Sequence, residues 1–232
     1  VTGTGRKLLI AAEGLGGADT ALSFCRAIVD WSPATLSGLI VEPASLAIWA
    51  GAAPKIVSTR GTLLAAPTDE RLRRMAKGDA AELGARLALL AQTLNTQWDC
   101  TLAAGDIVSA ACAMLTGEDI LLLGQRPIFR GRSRVLLLGG QGGASEASRA
   151  LAETIARASR TSVSVLLPED RADEEAIVAL VERKHAAAVV FDLDAGPISG
   201  EEGLRRLYMA ARCPIVALGA ARIRSGGDNA GR

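Results

Sequence analysis

The side chains that could form a site in this chain gather at two strand-to-helix turns. Gly14-Leu15-Gly16-Gly17-Ala18-Asp19 follows the apolar run Leu8 to Ala12, and Gly140-Gln141-Gly142-Gly143-Ala144-Ser145 follows Val135 to Leu138. Each turn leads into an Ala-rich helical pattern. Glycine reaches positive φ cheaply and lets the backbone approach another group closely. A helix that begins after such a turn presents amide donors and partial positive charge, which suits an anion, with phosphate the natural candidate. Asp19 and Ser145 are the expected N-caps. Glu13, at the end of the first apolar run, is the one acid placed where a general base would stand. The alternative is that the glycines serve packing alone. A dinucleotide fingerprint is poorly matched, because the sixth residue is Asp or Ser and no acid follows at a strand end about 20 residues on.

The remaining chemistry is sparse. Arg126, Arg130, Arg132 and Arg134 lie close together, and clustered guanidinium groups hold phosphate well, although such a run is also a common solvated linker. His185, the one histidine, has no Asp, Cys or Ser at a fixed spacing and is read as a helix C-terminal cation. Cys25, Cys100, Cys112 and Cys213 have neither metal-ligand nor CxxC spacing, so they are expected to be free thiols in a reducing compartment, with no metal site. No Ser-His-Asp or paired-carboxylate arrangement is legible, which favours a non-enzymatic role.

Composition narrows the class. With 232 residues, 49% hydrophobic and 22% charged, the chain is globular and long enough for one large core or two small ones. A net charge of +1 and 3% aromatics supply neither the basic field nor the stacking platforms of a nucleic-acid binder. No apolar run is long enough to span a membrane and no signal-peptide pattern opens the chain, so the expected location is the cytoplasm. The sequence opens at Val1 without an initiator methionine, which suggests an excised domain of a larger protein whose other part could carry a membrane anchor.

The elements that must position the turns alternate. Strands are expected at 7–12, 35–41, 99–103, 120–123, 134–138, 162–167, 187–193 and 213–219. Helices are expected at 19–30, 68–95, 107–115, 145–160, from Glu169 to Lys184, and at 201–212. Alternating strands and helices imply mainly parallel pairing with right-handed crossovers. Residues 44–67 are irregular, and Ile48 and Trp49 there suggest contact with a partner surface or with the domain itself. The expected architecture is two Rossmann-like sheets in tandem, flanked by helices and packed as a pseudo-symmetric pair. Their spans are residues 1–132 and a shortened 133–222, followed by a disordered tail, 223–232.

The first half resembles the universal stress protein family, a Rossmann-like group that includes ATP binders. The resemblance rests on Glu13-Gly14 after the first strand, Ile40-Val41-Glu42-Pro43 at the second, Gly105-Asp106 after the third and Asp119 to Gly124 at the fourth. Cys213-Pro214-Ile215-Val216 is similar to that family's closing strand. The resemblance implies that Glu13 and Val41 lie near adenine and ribose, with Gly105 lining the same cleft. ATP-binding members hold the phosphates with a Gly-x2-Gly-x9-Gly-Ser/Thr loop. Counted from Gly124, its later positions fall on Pro127 and Leu137-Leu138, so the loop is missing, and Glu stands for the family's Asp at position 13.

The leading expectation is therefore a stress-response or signalling module that acts through a protein partner, itself included, or a small ligand, with family-type ATP binding lost. One alternative is a regulatory site for ATP or another adenine nucleotide, built from Glu13, Gly14, Gly16, Gly17, Val41, Gly105, Gly124 and Arg126, with the Arg-rich link replacing the phosphate loop. The other is a nucleotide-processing enzyme.

Overall fold

Five successive apolar residues follow Lys7, and a strand of that composition is stable only when covered on both faces. Strand β1 (Lys7–Ala12) is covered in this way: Leu8, Ile10 and Ala12 point into one core, Leu9 and Ala11 into another. The computed structural model describes residues 6–43, 55–57, 63–65, 68–116, 118–126, 133–167 and 174–219. After β1 come helix α1 (Leu15–Trp31), β2 (Thr35–Pro43), the short strands β3 (Lys55–Val57) and β4 (Leu63–Ala65), α2 (Asp69–Leu94), β5 (Trp98–Gly105), α3 (Ile107–Met114) and β6 (Ile120–Gly124). The second half contains β7 (Arg134–Leu138), α4 (Glu146–Ala158), β8 (Val163–Leu166), α5 (Glu174–Arg183), β9 (Ala186–Asp192), α6 (Gly200–Ala211) and β10 (Ile215–Leu218).

The expectation of two sheets is corrected by the topology. Eight strands form a single sheet in the order β5-β2-β1-β6-β10-β9-β7-β8. The junction is β10, which runs parallel to β9 and antiparallel to β6, with Ile215 opposite Leu123, Val216 opposite Leu122 and Ala217 opposite Leu121. The physical reason is the composition of β6. Ile120 to Leu123 are fully buried on both faces, so β6 would be a hydrophobic open edge without a neighbour. Ile215 to Leu218 provide that neighbour for β6 and for β9 together.

One core holds side chains of α1, α2 and α4 and the other those of α3, α5 and α6, with both halves of the chain contributing to each. The long helix is well signalled: Thr68 is its N-cap, accepting from Arg71 N–H at 3.3 Å, and Asp69 and Glu70 fill its first turn. It continues through Gly78 and Gly84, and Trp98 lies over Gly84. Residues 44–67 contain a two-stranded antiparallel ladder, β3 with β4, which the irregular pattern did not announce. Ile48, Trp49, Arg130, Arg132 and the tail lie outside the described residues. Among the described residues no helix is long and apolar enough to cross a membrane.

Candidate functional site

In an open α/β sheet the crevice for a ligand lies at the carboxyl ends of the strands, where the chain's progress across the sheet reverses. Here that point is between β1 and β6, since β2 and β5 lie to one side of β1 and β6 to the other. Glu13 follows β1, Gln125 follows β6, Asp106 follows β5, and α6 of the second half brings Arg205 and Tyr208 to the same place.

The first glycine turn is shaped by packing. Gly14, with extended φ, is the N-cap of α1, and its carbonyl accepts from Gly17 N–H at 3.2 Å and Ala18 N–H at 3.1 Å. A Cβ on Gly17 would lie 2.7 Å from the Gly124 carbonyl oxygen, and one on Gly124 would lie 2.6 Å from that of Gly17. These glycines let α1 close directly onto the end of β6. The Leu15 N–H does not face solvent alone: the Asp79 carboxylate, from α2, accepts it at 3.1 Å. Asp19 corrects an expectation, because the helix begins before it and its carboxylate is paired with Arg86 of α2.

The second turn is occupied in the same sense. Gly140 N–H is shared between the carbonyls of Gly143 and Ala195, each at 3.1 Å, and a Cβ on Gly140 would lie 2.4 Å from the Ala195 oxygen. Ser145 is the expected N-cap of α4, accepting from Ser148 N–H at 3.1 Å.

Across the β1 and β6 ends runs a network joining the halves. Asp106 caps α3, accepting from Ser109 N–H at 2.9 Å and Ser109 Oγ at 3.0 Å. Arg205 reaches from α6 to Asp106 at 3.1 Å, Glu201 at 2.7 Å and Glu202 at 2.5 Å. The single Ser109 hydroxyl proton is shared between Asp106 and Glu201, and the Gln125 side-chain amide donates to the Tyr208 carbonyl. Burial pushes the Asp106 carboxyl up, but the Arg205 guanidinium and the Ser109 donors outweigh it and hold the group below its ordinary value. Glu13 is displaced the other way, raised by burial and then by the Asp106 charge. Tyr208 is pushed up by burial and by Glu13.

These directions set a pH dependence. In the folded chain Glu13 holds its proton more tightly than an ordinary carboxyl, so its contribution to stability is present below the ordinary carboxylate value and is lost as pH rises through the elevated one. Glu13→Gln is expected to melt higher than the parent at about pH 7.5 and to match it at about pH 4. Asp106 acts with the opposite sign, stabilising above its ordinary value and losing that contribution as pH falls through its lowered one. Thermal melts of the Glu13 variant at the two pH values check the first statement, and an equal difference at both would refute it.

Of the residues expected at a site, Glu13, Gly14, Gly16, Gly17, Gly124 and Arg126 stand together around the ends of β1 and β6. Arg126 is exposed and its Cδ lies 3.6 Å from where a Gly16 Cβ would be. Val41 is fully buried in the core shared with Leu9 and Val108. Gly105 ends β5 opposite Pro43 in register, at φ 117° with open space where a side chain would project. Asp79, Arg205 and Tyr208 were not anticipated. They come from distant parts of the chain, and Arg205 reads in sequence as an ordinary surface-helix charge beside Glu201 and Glu202. Cys25, Cys112 and Cys213 are buried and Cys100 partly so, all free, with thiols raised chiefly by burial. Among the described residues no group of His, Cys, Asp and Glu could hold a metal ion.

No protein-family model matches the chain, and no curated protein matches it. Solved structures do. The chain is similar to a universal stress protein from Archaeoglobus fulgidus, at 11% identity and a TM-score of 0.42, over 91% of this chain and 95% of that one. It is similar to the cytoplasmic domain of a prokaryotic cation chloride cotransporter, at 12% identity and a TM-score of 0.38, over 92% and 95%. A third similarity is to a universal stress protein family member from Arabidopsis thaliana solved with AMP bound, at 13% identity and a TM-score of 0.29, over 71% and 94%.

Proposed function

We propose that this chain is a non-enzymatic regulatory module of the stress-response or signalling kind, acting through a protein partner or a small ligand, with family-type ATP binding lost. The observation that carries this reading is Asp79. Its carboxylate accepts the Leu15 amide at the α1 N-terminus, the donor that would otherwise face an anion. A phosphate chain there would displace that carboxylate or lie against it. The close backbone contact of Gly17 with Gly124 supports a packing role for the glycines.

Calorimetric titration of the whole chain with ATP and with AMP tests the reading. No heat of binding and no shift in melting temperature are expected at millimolar nucleotide. Binding at micromolar nucleotide that Arg126→Ala weakens would replace this reading with its rival, an adenine-nucleotide site around Glu13, Gly105 and Gly124. One specific observation favours that rival: the Arg126 side chain lies against Gly16.

A further inference from the structure

Helices α5 and α6 pack side by side on one face of the sheet, and an open groove of about 430 Å³ is lined by Val178 and Glu182 from α5 and Glu202, Arg205, Arg206, Met209 and Ala210 from α6. Met209 is 73% exposed, more than any other large hydrophobic side chain among the described residues. The opposite side of α6 is fully used by the fold, through buried Leu204, Leu207, Tyr208 and Ala211. Met209 therefore adds little packing to its own chain.

The charges on this outer face are sorted by sign along the helix. Glu202, in the first turn, has a side chain 65% exposed, and Arg212, at the C-cap, has one 53% exposed. The two lie equally far on either side of Leu207, each about 7–8 Å from it along the axis. Their partners within the chain are exposed ion pairs of little strength: Glu202 with Arg205 and Arg206, and Arg212 with Glu182 at 3.8 Å.

We propose that the α5–α6 face is an interface between two copies of this chain, with the two α6 helices antiparallel and a two-fold axis that passes outside α6 at the level of Leu207 along the helix. A two-fold contact requires a patch complementary to itself. Antiparallel α6 helices satisfy this, since Glu202 of each copy meets Arg212 of the other. Met209 of each copy then enters the groove of the other, and each helix N-terminus lies beside the partner's C-terminus, where the end charges attract. Removing two thioether side chains from water at the centre, inside a ring of ion pairs, is the usual anatomy of such a contact. This inference names a surface and a partner and does not depend on what the switch point binds.

Sedimentation velocity and native mass spectrometry of the whole chain, from low micromolar to sub-millimolar concentration, test it. The parent chain is expected to form a dimer with rising concentration. Met209→Asp is expected to raise the dissociation constant at least about tenfold, with circular dichroism and melting unchanged, because the residue is exposed in the single chain. Glu202→Arg and Arg212→Glu are each expected to weaken the dimer, and the double variant to restore it, since the pairs re-form with signs exchanged. A parent chain that stays monomeric throughout, a dimer indifferent to Met209→Asp, or a double variant no better than the singles would overturn the proposal.

Discussion

A chain ending at residue 212, lacking β10, is expected to be insoluble or to unfold without a cooperative transition. Ile215, Val216, Ala217 and Leu218 are all at least nine-tenths buried, and each alternates between the two cores. Burying one large aliphatic side chain is worth roughly 1.5–3 kcal/mol, so losing three of them removes about 6 kcal/mol. Typical domains have only about 5–15 kcal/mol in total. The truncation also uncovers β6, whose Leu121, Leu122 and Leu123 pair with β10, and leaves β9 without its second neighbour. Both edges are long enough and apolar enough to recruit other chains. Urea unfolding followed by circular dichroism is the check. A soluble monomer that unfolds in one sharp transition would mean that strands β1 to β9 and their helices are self-sufficient, and that the fold does not need β10 between β6 and β9.

The second large effect is expected from a single methyl group. In Gly124→Ala the new Cβ would lie 2.6 Å from the Gly17 carbonyl oxygen, and Gly17→Ala meets the Gly124 oxygen at 2.7 Å. In both cases the obstacle is backbone, so no side chain can rotate away. Relief requires α1 to lift from the sheet, taking Ala18, Ala21 and Cys25, all fully buried, with it. Overpacking of this kind costs about 1–3 kcal/mol, and each variant is expected at the upper end of that range. Gly78→Ala is the matched control. Nothing lies within 4 Å of its added Cβ, it sits in the interior of α2, and the same substitution is expected to stabilise by about 0.5–1 kcal/mol. The urea midpoint is therefore expected to fall for residues 17 and 124 and to rise for residue 78. A small loss at the first two would show that the turn is loose enough to admit a ligand, which would favour the nucleotide reading over the packing one.

The two results address the same question from different directions. If the glycines are fixed by contact between α1 and β6, the acid at Asp79 completes a closed turn rather than awaiting an anion. The Arg205 network then has a related role at the other end of the crevice. It ties α6 of the second half to the cap of α3 in the first, and it satisfies Asp106 and Ser109 with groups of the chain itself.

Much of the fold was legible because its causes are local. The apolar runs at Leu8 to Ala12 and Ile120 to Leu123 specify strands covered on both faces. Thr68-Asp69-Glu70 and the spacing of Ala76, Leu83 and Leu87 specify a capped, amphipathic α2. Ser145 names its own helix start. What stayed hidden depends on residues far apart in sequence. Neither the periodicity of β6 nor that of β10 says that the two strands pair antiparallel, so two main sheets were expected where the eight strands form one. The composition of the turn shows that Gly17 and Gly124 lack side chains, but only the packing of α1 on β6 shows that they touch each other. Asp79 on the Leu15 amide and Arg205 on Asp106 carry no local signature, because a carboxylate or guanidinium on a helix surface looks the same whether it faces water or another element. The sequence by itself determined the elements other than β3 and β4, the helix starts at Thr68 and Ser145, and the parallel character of each half. The tertiary structure decided which strand closes both halves and which of the chain's own charges stand at the turns and strand ends where a ligand was expected.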